Sequence, residues 1–172
     1  MMYYIVLDPS GSYNEGKGHT GIAIMHNDDW NSLHLESVSA KRFPDRHAYW
    51  ENIMLRVTEM VKVAKPEKTV VIIESFMIRN NGFLIGKMPE TIRLIGALEY
   101  RLEEEGIDFT FQTPSQAKSR FHDDALCRHV PLLAYNAANH RYYFKCKMCN
   151  DHVRDALKHL LYYKHYVEPK AR

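Results

Sequence analysis

The chain has 172 residues, 45% of them hydrophobic, and a formal net charge of +2. That is one ordinary globular domain spanning 1–172, with enough apolar residues for a core and too many for a disordered chain. No apolar run approaches the roughly 18 residues of a membrane span, no signal-peptide layout opens the sequence, and three cysteines are an odd number for a secreted disulfide framework. A cytoplasmic protein with free thiols or a metal site is the expectation.

"YYIVLD" reads as a first strand, about 3–8, ending in the carboxylate Asp8. The next stretch, "GSYNEGK" from Gly11, has the G-x-x-x-x-G-K spacing of a phosphate-cradling loop. That chemistry also needs a Ser or Thr after the Lys, and Gly18 stands there; it needs a following helix, and "TGIAIMH" has the β-branched alternation of a strand. The loop therefore reads as a turn between the first strand and a second at 20–26. A third strand is expected at about 32–42, with Leu33, Leu35 and Val38 near one face.

Asp45 is placed to cap a helix whose Trp50, Ile53, Val57, Met60 or Val61, and Ala64 recur at helical spacing. Pro66 breaks it. Thr69–Ile73 is a β-branched run of the kind that is buried on both faces, and it ends at a second carboxylate, Glu74. Residues 76–88 read as a loop rich in Gly, Asn, Arg and Lys. A helix at 89–105 follows, with Ile92, Ile95, Leu98 and Leu102 as its sheet-facing stripe and Gly106 at its C-cap. "IDFTFQT" is another strand, and Pro114 and Ser115 open a short helix, "SQAKSRF". The stretch 122–149 is less regular. The last helix, "NDHVRDALKHLLYYKHY", carries Val153, Leu157, Leu160 and Leu161 on its apolar stripe. Three meander strands followed by alternating strands and helices predict an α/β fold: a ribonuclease H-like mixed five-stranded sheet flanked by helices.

Charge is uneven along the chain. Residues 117–172 carry a balance of +6 and six of the ten histidines, while the first 116 carry −4. A basic, His- and Tyr-rich end suits a polyanionic partner. Asp8 and Glu74 emerge at one sheet edge if their strands are adjacent and parallel, where ligands bind in open α/β sheets. His152 and Asp155, three residues apart, share a helix face, as do Asp151 and Asp155. Singly, such carboxylates are turn or cap residues. Together they repel, and a hard divalent cation neutralises them; two ions about 3.5–4 Å apart can activate water and stabilise the leaving oxygen of a phosphodiester. Cys146 and Cys149, with Cys127 or His140 nearby, are candidate ligands of a structural zinc.

The pieces "YIVLDPSGSYNEGKGHTGIAI", "VVIIESF", "TPSQAKSRF" and "HVRDALKHLL", in that order, resemble the RuvC family of Holliday-junction resolvases, in a divergent, phage-like form. The turn after Asp8 is longer than the family's, and 128–150 departs from it. The resemblance implies a crossover junction endodeoxyribonuclease that cuts Holliday junctions or other branched DNA symmetrically, as a homodimer contacting through the 89–105 helix. It implies that Asp8, Glu74, His152 and Asp155 bind magnesium or manganese, two ions per active site, and that Lys118 contacts the scissile phosphate. The 76–88 loop would enter the junction, with Phe76 or Phe83 stacking on a base and Arg79, Lys87, Lys118 and Arg120 contacting DNA. Two other readings share the fold: a nucleic-acid-binding module without catalysis, and a nuclease of RNA–DNA hybrids.

Overall fold

The computed structural model describes residues 2–13, 17–65, 67–76 and 88–168. Five strands form the main sheet: β1 (Met2–Asp8), β2 (His19–His26), β3 (His34–Ser39), β4 (Lys68–Glu74) and β5 (Phe109–Gln112), in the order β3-β2-β1-β4-β5. The first three form an antiparallel meander; β4 and β5 run parallel to β1. The mixed ribonuclease H-like sheet expected from the sequence is the sheet observed.

Strand parity divides the core. Ile5, Leu7, Val71 and Ile73 point to one face, against α1 (Arg46–Ala64) and α2 (Met88–Glu104). Tyr4, Val6, Val70 and Ile72 point to the other, against α5 (Asp151–Tyr162). Because side chains alternate along a strand, Asp8 and Glu74 continue the second set and lie on the α5 side. Leu7 is level with Ile73, so the two carboxylates that follow are level with each other. Two short helices, α3 (Pro114–Lys118) and α4 (Asp123–His129), follow β5.

Three local expectations change. The third strand is shorter than 32–42, because β3 extends only as far as its partner: Ser39 pairs with His19, the first residue of β2, and 3-10 turns at Trp30–Ser32 and Ala40–Arg42 bound it. On α2 the buried stripe is Leu94, Leu98 and Leu102, with Ile95 beside it, and Ile92 is exposed. Spacing alone allowed either phase of this helix, and the sheet selects the i, i+4, i+8 row. Residues 122–149 are ordered: after α4 come β6 (Leu133–Asn136), β7 (Arg141–Phe144) and β8 (Lys147–Cys149), a small antiparallel sheet of short strands. Leu133, Phe144 and Cys149 bury against the α5 core, while left-handed residues Leu132, His140, Lys145 and Cys146 make its corners. The short strands and non-glycine left-handed corners hid this sheet from periodicity. The segment 77–87 lies outside the described residues.

Two glycines of the front segment answer the resemblance to a phosphate loop. A Cβ on Gly11 would lie 2.2 Å from the Glu90 carbonyl oxygen, so the turn after β1 seats directly on the first turn of α2. The Gly11 N–H donates to Thr91 Oγ1 at 3.0 Å, and its carbonyl accepts from Trp50 Nε1 at 3.1 Å. Gly11 thus serves helix packing. Gly21 does the same for α5: a Cβ there would lie 2.1 Å from the carbonyl oxygen of His152 and 2.6 Å from the N of Val153. Gly21→Ala should therefore push the start of α5 off the sheet and destabilise the protein by about 1–3 kcal/mol. Thermal unfolding checks this, and an unchanged Tm would contradict so close an approach.

Candidate active site

Each acidic residue reaches the site by a separate route. Asp8 and Glu74 are delivered by the parallel register of β1 and β4. Asp155 is delivered by α5, whose start is fixed by Asn150: its side-chain oxygen accepts from Val153 N at 3.0 Å. One carboxylate oxygen from each of the three lies within 4.8 Å of the others, and among the described residues no other set of His, Cys, Asp or Glu is gathered this way. The cysteines do not form such a set: Cys146 is exposed, Cys149 is buried, and His140 bonds instead to the Tyr135 hydroxyl at 2.8 Å. Among the described residues, the ligands of the zinc site considered from sequence are not gathered within reach of one ion. Asp151 also turns elsewhere, to Arg154 at 2.7 Å.

Cations and imidazoles surround the carboxylates. Lys118, at the end of α3, sits between two of them, its Nζ 2.9 Å from Glu74 Oε1 and 2.8 Å from Asp155 Oδ2. Gln116 orders the start of α3 by accepting the Thr113 N–H at 2.7 Å. His152 Nδ1 is 2.7 Å from Asp8 Oδ2, and its ring stacks near that of His19. His152 thus joins the site through Asp8.

Two further residues escaped the sequence reading. His159 is fully buried, with Nε2 3.0 Å from Glu74 Oε2 and Nδ1 2.8 Å from Gln112 Oε1. Gln112 pairs with Glu74 across β4 and β5. The signal for His159 was present, since 152, 155 and 159 follow i, i+3, i+7 spacing on one helix face. It lay among leucines that read as core. Lys158, also buried, reaches Asp155 Oδ1 at 2.7 Å and Asp123 Oδ1 at 2.6 Å.

The environment pushes the two strand-end carboxylates apart. Burial raises the Asp8 pKa to about 6, with repulsion from Glu74 adding to it and His152 and Lys118 opposing. Burial acts on Glu74 in the same sense, but hydrogen bonds and charge from His159 and Lys118 outweigh it and bring the value to about 2. For Lys118, burial is outweighed by Asp155 and Glu74, which hold its pKa above the usual lysine range. A cavity of about 290 Å³ opens on this cluster, with Phe76 and Ser10 at its wall. Phe76 is partly exposed there; Arg79, Phe83 and Lys87 fall outside the described residues. Arg120 lies over the Tyr166 ring, 5.6 Å from its centroid.

The donor set fits a hard divalent cation: oxygen ligands, convergent, with net negative charge. Without such an ion, ionised Asp8 opposes folding. Its raised pKa means that its contribution is fully present below about pH 3.8 and is lost as the pH rises through about 6. Asp8→Asn imitates the protonated form. In metal-free buffer at about pH 8 it should raise stability by up to about 3 kcal/mol, read as several degrees in Tm, and the gain should vanish near pH 4. A loss of stability at pH 8 would show that the His152 contact outweighs burial.

No protein-family model and no curated protein matches the sequence. Solved structures match the fold. The structure of Thermus thermophilus RuvC in complex with a Holliday junction substrate aligns with a TM-score of 0.64 at 20% identity, over 96% of this chain and 94% of that one. A second structure of RuvC from Thermus thermophilus aligns with a TM-score of 0.61 at 21% identity, over 96% and 95%. Nearly the whole chain therefore has the fold seen in RuvC.

Proposed function

We propose that this protein is a metal-dependent endonuclease of branched DNA that cuts four-way junctions by phosphodiester hydrolysis. The observation that carries the reading is the convergence of Asp8, Glu74 and Asp155 at the end of two parallel strands, with Lys118 among them. The RuvC fold and the DNA-bound state of one of its similar structures support it. Asp8, Glu74 and Asp155 would hold magnesium or manganese, with His152 beside them as a fourth ligand. A divalent metal held there would supply Lewis acidity that lowers the pKa of a water and offsets charge on the phosphodiester.

The chain's own residues do the rest. His159 fixes one oxygen of Glu74 and leaves the other on the cavity side, where Lys118 meets it. Lys158 fixes Asp155 in the same way. Lys118, partly exposed at the cavity, supplies a positive charge that strengthens its hold on a phosphate as charge develops in the transition state. Phe76, at the same wall, would meet a base where strands part.

Resolution of a junction requires two cuts related by a two-fold axis, which a C2 dimer makes most simply. The exposed side of α2 offers the surface: Ile92 is 40% and Tyr100 68% exposed, and a Cβ on Gly96 between them would meet nothing. These residues follow i, i+4, i+8 spacing, one stripe opposite the buried one. We assign this stripe to the dimer contact.

Incubation with labelled four-way, three-way, flap and RNA–DNA hybrid substrates plus magnesium tests the reading. Cleavage should be confined to branched DNA; cutting of the hybrid alone would transfer the protein to another ribonuclease H-like activity. Asp8→Asn, Glu74→Gln and Asp155→Asn should each abolish cutting while retaining junction binding. Lys118→Ala should slow cutting about 100-fold with a much smaller change in affinity. A carboxylate variant that cuts at the wild-type rate would remove that residue from the metal site. For the dimer, light scattering should show a two-chain species for the wild type that Ile92→Glu converts to a monomer. A wild-type monomer both free and on a junction would remove the dimer.

A further inference from the structure

A second concavity shares a wall with the catalytic cavity. It is a groove of about 550 Å³ between β3, at the edge of the main sheet, and the β7–β8 hairpin. Neighbouring residues at the start of α5 serve the two spaces: His152 and Asp155 line the catalytic cavity, and Val153 lines the groove. The groove is tied across at both ends. Lys145 Nζ donates to the carbonyls of Asn31 and Leu33 at 2.9 and 3.3 Å, and Asn150 Nδ2 donates to Ser37 Oγ at 2.7 Å. Ser37 is level with Gly21, on which the His152 carbonyl rests, so the inner end abuts the site.

The lining is basic. Arg42, Arg56, Lys145 and Lys147 face the groove with a single acid, Glu36, and Glu36 is paired with Arg56. Arg42 and Lys147 are exposed and have no acidic partner among the described residues. Residues 125–149, which supply the hairpin wall, contain four Lys or Arg and no Asp or Glu. Folding places cations on this wall without counter-charges, although acids are plentiful elsewhere in the chain. The rim residue Met148 is 56% exposed, an apolar surface against which a sugar edge can lie.

We propose that this groove binds the sugar–phosphate backbone of a duplex arm of the DNA substrate, as a contact separate from the catalytic carboxylates. The inference rests on the nuclease reading above. Cations without acidic partners in a tethered groove fit a regularly charged polyanion, and the start of α5 sets the groove beside the cavity where the strand would be cut. Lys145 holds the hairpin against β3, leaving Arg42 and Lys147 to meet phosphates.

The test compares two double variants of equal charge loss in the full chain. Arg42→Ala with Lys147→Ala removes the free cations of the groove. Lys62→Ala with Lys68→Ala removes two exposed lysines, one on α1 and one at the end of β4 remote from Glu74. Binding of a fluorescent four-way junction, with no metal added, is measured by anisotropy across a salt series. Each phosphate contact contributes about 0.9 to the slope of log affinity against log salt. The groove variant should therefore bind roughly tenfold more weakly at about 0.1 M salt and lose nearly two from the slope. The control should stay close to wild type. If the wild type binds the junction and the groove variant keeps the wild-type slope, or both variants change alike, the groove assignment fails while the nuclease reading stands. If the wild type binds no branched DNA, the nuclease reading fails and takes this inference with it.

Discussion

Mutual repulsion among Asp8, Glu74 and Asp155 is the constraint around which this structure is organised. Two unit charges about 4 Å apart repel by roughly 4 kcal/mol in surroundings typical of a protein surface, and here three carboxylates share that space. The fold answers with ammonium groups and imidazoles around them. Lys118 bridges Glu74 and Asp155, Lys158 holds Asp155 from behind, and His152 and His159 each take one strand-end carboxylate. The unequal result, with Asp8 raised and Glu74 lowered, leaves one acid poised near neutrality and one firmly ionised. Such clustering opposes stability and persists where a cation or a reaction requires it.

Packing serves the same end. The parallel pairing of β1 and β4 sets two carboxylates level, and strand parity turns them to the α5 face. Gly21 lets α5 approach near enough for His152 and Asp155 to reach them. On the opposite face, the turn at Gly11 locks the exit of β1 onto α2. The residues that look dispersed in the chain are thus brought together by backbone features, and side-chain chemistry completes the site.

Much of this was legible in the sequence, for reasons that particular residues make plain. The run Thr69–Ile73 ending at Glu74, and the pattern of β1 ending at Asp8, identify buried strands with polar tips. The i, i+3 pair His152 and Asp155 identifies a helix face. What stayed hidden depends on tertiary choice. The phase of α2 is decided by which leucines meet the sheet, so Leu94 displaces Ile92 from the core. The hairpin sheet escaped because its strands are three or four residues long and its corners place Leu132, His140, Lys145 and Cys146 at positive φ. His159 escaped because only the pairing of Glu74 with Gln112 gives a buried imidazole two partners. The C-x-x-C spacing, in turn, offered candidate zinc ligands that are not gathered among the described residues.

The central claim is that the three carboxylates are held together for a divalent cation. Electron paramagnetic resonance of manganese titrated into the DNA-free protein at neutral pH measures this directly. The account predicts saturable uptake by the wild type and affinity weakened by more than about tenfold in Glu74→Gln. Equal uptake by the two proteins, or none by the wild type, would contradict it.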